Sequence, residues 1–117
     1  MSRITFQDRL TRRTVNESTA FTVVAYFWND ATETWTAETP TTVRYRIDSP
    51  SSYEILAWTT GTPGTSLSIA VPATSSDIIN DCAQMETKIL TVQCNADLST
   101  QYQDTYTWQV RNLAGQT

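Results

Sequence analysis

The sequence predicts an all-β protein, because apolar and polar residues alternate with a period of two along nearly every apolar segment. Turn-forming residues separate these segments at intervals of roughly ten residues, as in small antiparallel sheet proteins. Threonine, whose branched Cβ suits a pleated surface, is abundant. Together these features favour an immunoglobulin-like antiparallel β-sandwich of about seven to eight strands. The 117 residues have room for one core, so residues 1–117 are expected to form a single domain.

The first two strands are predicted between residues 4 and 28. Ile4 and Phe6 alternate with polar neighbours in a first strand that we expect to continue past Arg12. The second strand is apolar on both faces, which favours a central position in a sheet. Its two faces consist of Phe21, Val23, Ala25 and Phe27 on one side and of Thr22, Val24, Tyr26 and Trp28 on the other.

The rest of the chain predicts five further strands and two irregular segments. The first, residues 29–40, is expected to be a turn followed by an irregular or short edge segment that contains Trp35. Residues 74–83 break the alternation, and Ser75 or Ser76 is expected to cap a short helix or turn with Asp77 near its positive end. Residues 95–104 are predicted to form a polar loop. Alternating apolar residues predict strands around residues 43–47, 53–57, 67–71, 90–94 and 106–110.

Charge is distributed unevenly along the chain, whose net charge is −4. Four of the eight basic residues, Arg3, Arg9, Arg12 and Arg13, fall within residues 1–13 against the single acid Asp8, so this segment carries about +3 and the remainder about −7. We expect residues 1–13 to be either a basic arm that docks on an acidic neighbour or an edge strand whose arginines discourage aggregation. The acidic remainder argues against nucleic acid as a partner.

The residues for common catalytic chemistry are missing from the sequence. There is no histidine, which removes the usual general base, the serine and cysteine triads and the commonest zinc ligand. We therefore expect no enzyme activity, no cofactor and no metal site. Cys82 and Cys94 are too close in sequence for the disulfide that spans an immunoglobulin sandwich. Free thiols are expected, with Cys94 a small core residue, and a local disulfide between the two is the alternative.

The four tryptophans divide by their position in the alternation. Trp108 shares a face with Tyr106 and Val110 and is expected in the core. The other three are expected to be exposed, as caps of the sandwich ends, as protein contacts or as platforms for sugar rings. The candidate partner-binding residues are Arg3, Arg9, Arg12, Arg13, Trp28, Trp35 and Trp58.

No apolar run is long enough for a signal peptide or a membrane span. We therefore expect the chain to be a whole gene product that is made in the cytosol and has no membrane partner. A sandwich module of this kind then either remains inside the cell or leaves it by lysis.

Between residues 41 and 112 the strand sequences VRYRID, EILAWT, SLSIAVPA, ETKILTVQ and YTWQVRNL resemble small immunoglobulin-like proteins of bacteriophage virions. The resemblance implies a structural role on the particle, as a capsid decoration (cement) protein or as a neck or tail accessory protein. It also implies virion localisation, capsid or other virion proteins as partners, and a possible homo-oligomer; it transfers no functional residue. The alternatives are a carbohydrate-binding module that uses the exposed tryptophans on a surface glycan, and an intracellular protein-interaction module.

Overall fold

The computed structural model describes residues 2–8, 10, 13–30, 34–50, 54–78 and 84–112. Within them strands are the main secondary structure, and no helix there is long and apolar enough to cross a membrane. The strands are, in chain order, β1 (Ser2–Gln7), β2 (Thr14–Asn16), β3 (Phe21–Asn29), β4 (Thr36–Ala37), β5 (Val43–Asp48), β6 (Glu54–Gly61), β7 (Ser66–Val71), β8 (Met85–Cys94) and β9 (Tyr102–Arg111).

The strands form two sheets that pack face to face, which confirms the predicted immunoglobulin-like sandwich. In sheet A the central strand β3 pairs antiparallel with β1 on one side and with β7 and the short β4 on the other. Sheet B has the order β2-β9-β8-β5-β6. The central position predicted for β3 from its two apolar faces is therefore confirmed.

Sheet B differs from the fully antiparallel prediction in one respect. The three-residue strand β2 pairs parallel with β9, matching Val15 with Val110. Because β2 and the two-residue β4 are too short to show an alternation, the described residues contain nine strands where seven to eight were predicted.

The prediction that the first strand continues past Arg12 is wrong, because β1 ends at Gln7. The Oδ1 atom of Asp8 accepts a hydrogen bond of 2.7 Å from the backbone N–H of Leu10, and such a local bond competes with sheet pairing. Arg13 then adopts a left-handed backbone with φ of 52°, and the chain enters sheet B as β2. The N-terminal segment thus contributes to both sheets.

The core lies between the sheets and is built from the predicted inward faces. Phe27 of β3 and Leu90 of β8 are fully buried, and Trp108 is 1% exposed, as predicted for a core tryptophan. Aromatic rings join the layers: the centroids of Phe21 and Trp108 are 5.2 Å apart in an edge-to-face arrangement, a favourable geometry for such pairs. Cys94 is a buried free thiol, as expected; Cys82 lies outside the described residues.

The segment after β7 differs from its prediction. Ala73–Ser76 form a 3-10 helix that begins after Pro72, without a side-chain cap. Ser75 and Ser76 are buried rather than capping, and Asp77 follows the C-terminal end of the helix, not the positive end. Instead, Asp77 accepts a hydrogen bond of 2.7 Å from the hydroxyl of Ser18 and so ties this turn to the loop after β2.

Strand β6 does not keep the alternation that was predicted for it. Register shifts interrupt its pairing with β5 between Tyr45 and Ile47 and again before Asp48. Each bulge inserts an extra residue and turns the following side chains. As a result Ile55 and Leu56 are both half-buried, whereas Ala57 and Trp58 are both exposed.

Candidate binding surfaces

The outer face of sheet A carries apolar side chains on its central strand. Tyr26 and Trp28 point away from the core, since Ala25 and Phe27 between them are fully buried. Both rings are anchored by polar contacts to β1: the indole N–H of Trp28 donates to the hydroxyl of Thr5 over 2.9 Å, and the Tyr26 hydroxyl donates to Oε1 of Gln7 over 3.0 Å. Trp28 is therefore half-buried rather than exposed. We call this surface, with Val24, the sheet A face.

Arg3 of β1 extends this face at the end of the sheet where β4 lies. Its Cα is the pairing partner of Trp28, and its guanidinium carbon lies 4.2 Å from the ring centroid of Trp35. A cation over an indole ring at this distance is an attractive electrostatic contact. Trp35 remains 37% exposed and precedes β4, as its predicted loop position required. Three of the seven candidate residues are thus neighbours on one surface.

Strand β7 borders the sheet A face with small side chains. Ser68 and Ala70 point outward beside Val24 and Thr22, while Ile69 and Val71 point into the core. No strand of the described residues pairs with the far side of β7, and its six residues include no charge and no proline. The backbone of this edge therefore lacks the protections that usually block strand addition.

A depression of about 570 Å³ lies at the opposite end of the sheet A face. Tyr26 and Val24 form part of its wall, and Leu10, from the crossing between the sheets, forms another part. Its remaining described lining residues are Gln7, Asp8, Phe21 and Thr22. The sheet A face therefore has protruding aromatic rings with a depression beside them, and it is neither flat nor wholly polar.

The outer face of sheet B carries Trp58, which is 36% exposed. Two arginines of the neighbouring strand β5 lie against its ring: the guanidinium carbon is 4.2 Å from the centroid for Arg44 and 5.5 Å for Arg46. Arg46 donates hydrogen bonds to the carboxylate of Asp48, and these are the main reason that the pKa of Arg46 is raised above its ordinary value. We call Trp58, Arg44, Arg46 and Gln93 the sheet B face.

Arg13 lies away from both faces. Its guanidinium carbon is 4.7 Å from the ring centroid of the fully buried Tyr106, and its Nε is 3.9 Å from Oδ2 of Asp8. It covers the crossing between the sheets, where it packs on the protein itself. Arg9 and Arg12 lie outside the described residues, so their part of the prediction stays a prediction.

Residues 2–7 form a strand of sheet A and not a basic arm. Each residue from Ser2 to Gln7 has a pairing partner on β3, so this segment is the edge strand of the alternative interpretation. The predicted binding residues also divide between surfaces: Arg3, Trp28 and Trp35 lie on sheet A, and Trp58 lies on sheet B. Sequence reasoning missed Arg44, Gln93 and Tyr26, although the outward phase of Arg44 and Tyr26 was readable from the alternation.

Titratable groups next to the core are held in their neutral forms. Burial is the main cause that raises the pKa of the Cys94 thiol to about 11, and it also raises the pKa of Tyr102. A thiol with such a pKa is a poor nucleophile near neutral pH. Among the described residues there is no group of three or more Cys, Asp or Glu side chains arranged to hold a metal ion.

Comparison with known proteins yields little. No protein family matches the chain, and no curated protein matches it. Among solved structures, a conjugative transposon lipoprotein from Bacteroides eggerthii DSM 20697 is similar over 90% of this chain and 95% of that one, with 10% sequence identity and a TM-score of 0.44. A likeness of this size carries no argument about function, and no comparison connects the chain with a bacteriophage particle.

Proposed function

We propose that this chain is a non-enzymatic structural component of a bacteriophage particle, a decoration protein that binds the assembled shell through its sheet A face. The connection with a virion rests on the resemblance of the strand sequences between residues 41 and 112. The choice of surface rests on one observation: the central strand β3 presents Val24, Tyr26 and Trp28 on its outer side.

Apolar side chains at these positions are unusual for a sandwich that works alone, because an outer face that contacts only water is normally polar. All three are only half-buried within the chain, so a docked partner would remove further apolar area from water. Rigid aromatic rings that are already held in place, as Trp28 is by Thr5, lose little conformational entropy on binding. The face has the composition of a protein interface.

The β7 edge gives a docking protein a second kind of contact. Ser66, Ser68 and Ala70 are small, so a neighbouring strand approaches the backbone without steric conflict. Strand addition supplies main-chain hydrogen bonds irrespective of the partner's sequence. On a particle, the same modest contact is repeated across a symmetric lattice, and multivalent partners gain avidity from such repetition.

The two alternatives use the same surfaces differently. A neck or tail accessory protein would bind through the same face to a different virion protein. A carbohydrate-binding module needs a free ring face for a sugar, but a guanidinium already lies over Trp35 and another over Trp58. Sugar stacking would displace these contacts, which makes protein contact the better-supported proposal.

The experiment is an add-back assay with particles that lack this chain. Wild-type protein and a Val24→Thr/Tyr26→Ser variant are mixed with such particles, and occupancy is measured by sedimentation. We expect saturable binding of the wild type and at least a tenfold loss in the variant, about 1.4 kcal/mol of binding free energy. The matched control is Thr105→Ala/Thr107→Ser, which changes two exposed residues on the outer side of sheet B.

Two results would overturn the proposal. Equal occupancy of the variant and the wild type would show that the sheet A face is not the contact. Absence of wild-type binding to heads, necks and tails, together with a tryptophan fluorescence change on adding a polysaccharide, would favour the carbohydrate-binding function. Thermal unfolding of both variants checks that lost binding does not reflect lost folding.

A further inference from the structure

Two arginines on the outer side of β5 have contrasting partners. Arg46 is neutralised within the chain: its Nε and Nη2 donate to the two carboxylate oxygens of Asp48 over 2.8 and 2.6 Å, and Nη2 also lies 3.5 Å from Glu54. Arg44 is one pleat away and has no carboxylate within salt-bridge distance among the described residues. Its contacts there are with neutral groups, so its charge is not compensated locally.

Arg44 is nevertheless held in one orientation. Its guanidinium lies over the ring of Trp58, and its Nε donates a 2.6 Å hydrogen bond to Oε1 of Gln93. The amide of Gln93 in turn donates to Oε1 of Gln103 over 3.0 Å, which determines which end of the Gln93 amide faces Arg44. Gln93 is only 7% exposed, so this support is part of the sheet and not a flexible surface contact.

The terminal nitrogens of Arg44 make no hydrogen bond to any described residue. They form the planar, charged fork that pairs well with a carboxylate, and the side chain has already lost its rotamer freedom. We propose that Arg44, supported by Trp58 and Gln93, is a binding site for the carboxylate of an aspartate or glutamate side chain on a partner protein.

Charge selects a carboxylate over a phosphate. The site offers one uncompensated positive charge, with Asp48 and Glu54 on the same face and a net charge of −4 for the chain. A phosphate that carries about two negative charges meets greater repulsion than a carboxylate with one. Nucleic acid requires several neighbouring cations, and Arg46 is already paired.

The surroundings leave room for the residue that bears the carboxylate. A depression of about 470 Å³ beside Arg46 is lined by Asp48, Ser49, Pro50, Ile89 and Thr91. Thr91 is the pairing partner of Arg46 on β8, and Gln93 is the partner of Arg44, so the depression begins one pleat along the strands from the Arg44 site. This inference does not depend on the sheet A face or on a virion role.

The test is a nuclear magnetic resonance titration of the whole isotopically labelled chain. The side-chain N–H signals of Arg44 and Trp58 are followed during a titration with N-acetyl-glutamate α-amide, in which the side-chain carboxylate is the only charge. The compound is added at millimolar concentrations and constant ionic strength. We expect saturable shifts of both signals, and no saturable shift with the matching glutamine compound, which has the same shape without the charge. Arg44→Gln should abolish the Trp58 shift.

The matched control is Arg111→Gln, which removes an equal charge from an exposed position at the end of β9 and should leave the titration unchanged. Equal shifts with the glutamine compound, or a Trp58 shift that survives Arg44→Gln, would overturn the site. Inorganic phosphate that binds as tightly as the glutamate compound would overturn the assignment to a carboxylate. The spectrum of each variant shows directly whether it is folded.

Discussion

The guanidinium of Arg3 covers the ring of Trp35 at 4.2 Å, which connects the first strand with the segment that leads into β4. Both residues were predicted to bind a partner, which stays a prediction, and within the chain each contacts the other. Trp35 directly precedes the two-residue strand β4, so the contact lies at the point where this short strand begins.

The Arg3 and Trp35 pair should make a measurable contribution to stability. In a double-mutant cycle with Arg3→Met and Trp35→Leu, we expect a coupling energy of about 0.5–1 kcal/mol, the range for partly exposed cation–π pairs. Urea denaturation of the four proteins measures it. Arg111→Met replaces Arg3→Met in a control cycle and should show no coupling to Trp35. Additive effects in the first cycle would contradict the contact.

Lys88 is buried between the sheets, with its side chain 1% exposed, and its Nζ lies 2.9 Å from Oε2 of Glu86. Removal of the negative partner leaves a buried charge without compensation, so Glu86→Gln should lower the free energy of unfolding by about 3 kcal/mol. Lys88→Met, which replaces the charge with an apolar chain of similar length, should cost less. Chemical denaturation measures the free energy of unfolding of both variants. A smaller loss for Glu86→Gln than for Lys88→Met would show that an unpaired Lys88 charge is not the main cost.

Cys94 should make the protein sensitive to alkaline pH. Burial raises the pKa of its thiol from 9.0 to about 11, so the unfolded chain loses this proton first as the pH rises. Its contribution is therefore complete below about pH 9, and between pH 9 and 11 the free energy of unfolding should fall by at most about 1 kcal/mol per pH unit from this group. Cys94→Val should flatten that fall, as measured by urea denaturation across the pH range; the raised pKa of Tyr102 leaves a residual slope. If the free energy of unfolding fell equally with pH in both proteins, Cys94 would not be the cause of the fall.

Asn95 should be hard to replace. It begins the loop between β8 and β9 with φ of 55°, and its Oδ1 accepts a 2.7 Å hydrogen bond from the backbone N–H of Thr41. Asn95→Ala loses the bond and keeps the unfavourable backbone, at a cost of about 2 kcal/mol. Asn95→Gly loses the same bond but tolerates positive φ, so it should be more stable than Asn95→Ala in thermal unfolding. The reverse order would show that backbone conformation is unimportant here.

The alternation of apolar residues was sufficient to predict the core. Val23, Ala25 and Phe27 of β3 and Leu90, Val92 and Cys94 of β8 are all buried as the pattern required. Prediction failed where backbone events interrupt a strand: at Asp8, where a side chain accepts a hydrogen bond from a backbone N–H, and in β6, where two bulges leave Ala57 exposed although the alternation puts it on the same face as Ile55. The alternation of apolar and polar residues in the sequence is the same with or without these interruptions, so it does not reveal them.

The sequence by itself determined the inward and outward faces of the long strands other than β6, and hence the two-sheet architecture, because successive side chains of a strand point to opposite sides. Only the tertiary structure decided which outward residues meet. Arg44 reaches Trp58 and Gln93 because the pairing registers of β5 with β6 and β8 bring them together, and Arg3 reaches Trp35 because β1 and β4 both border β3. Such registers depend on pairing between segments distant in sequence, which local side-chain patterns do not encode.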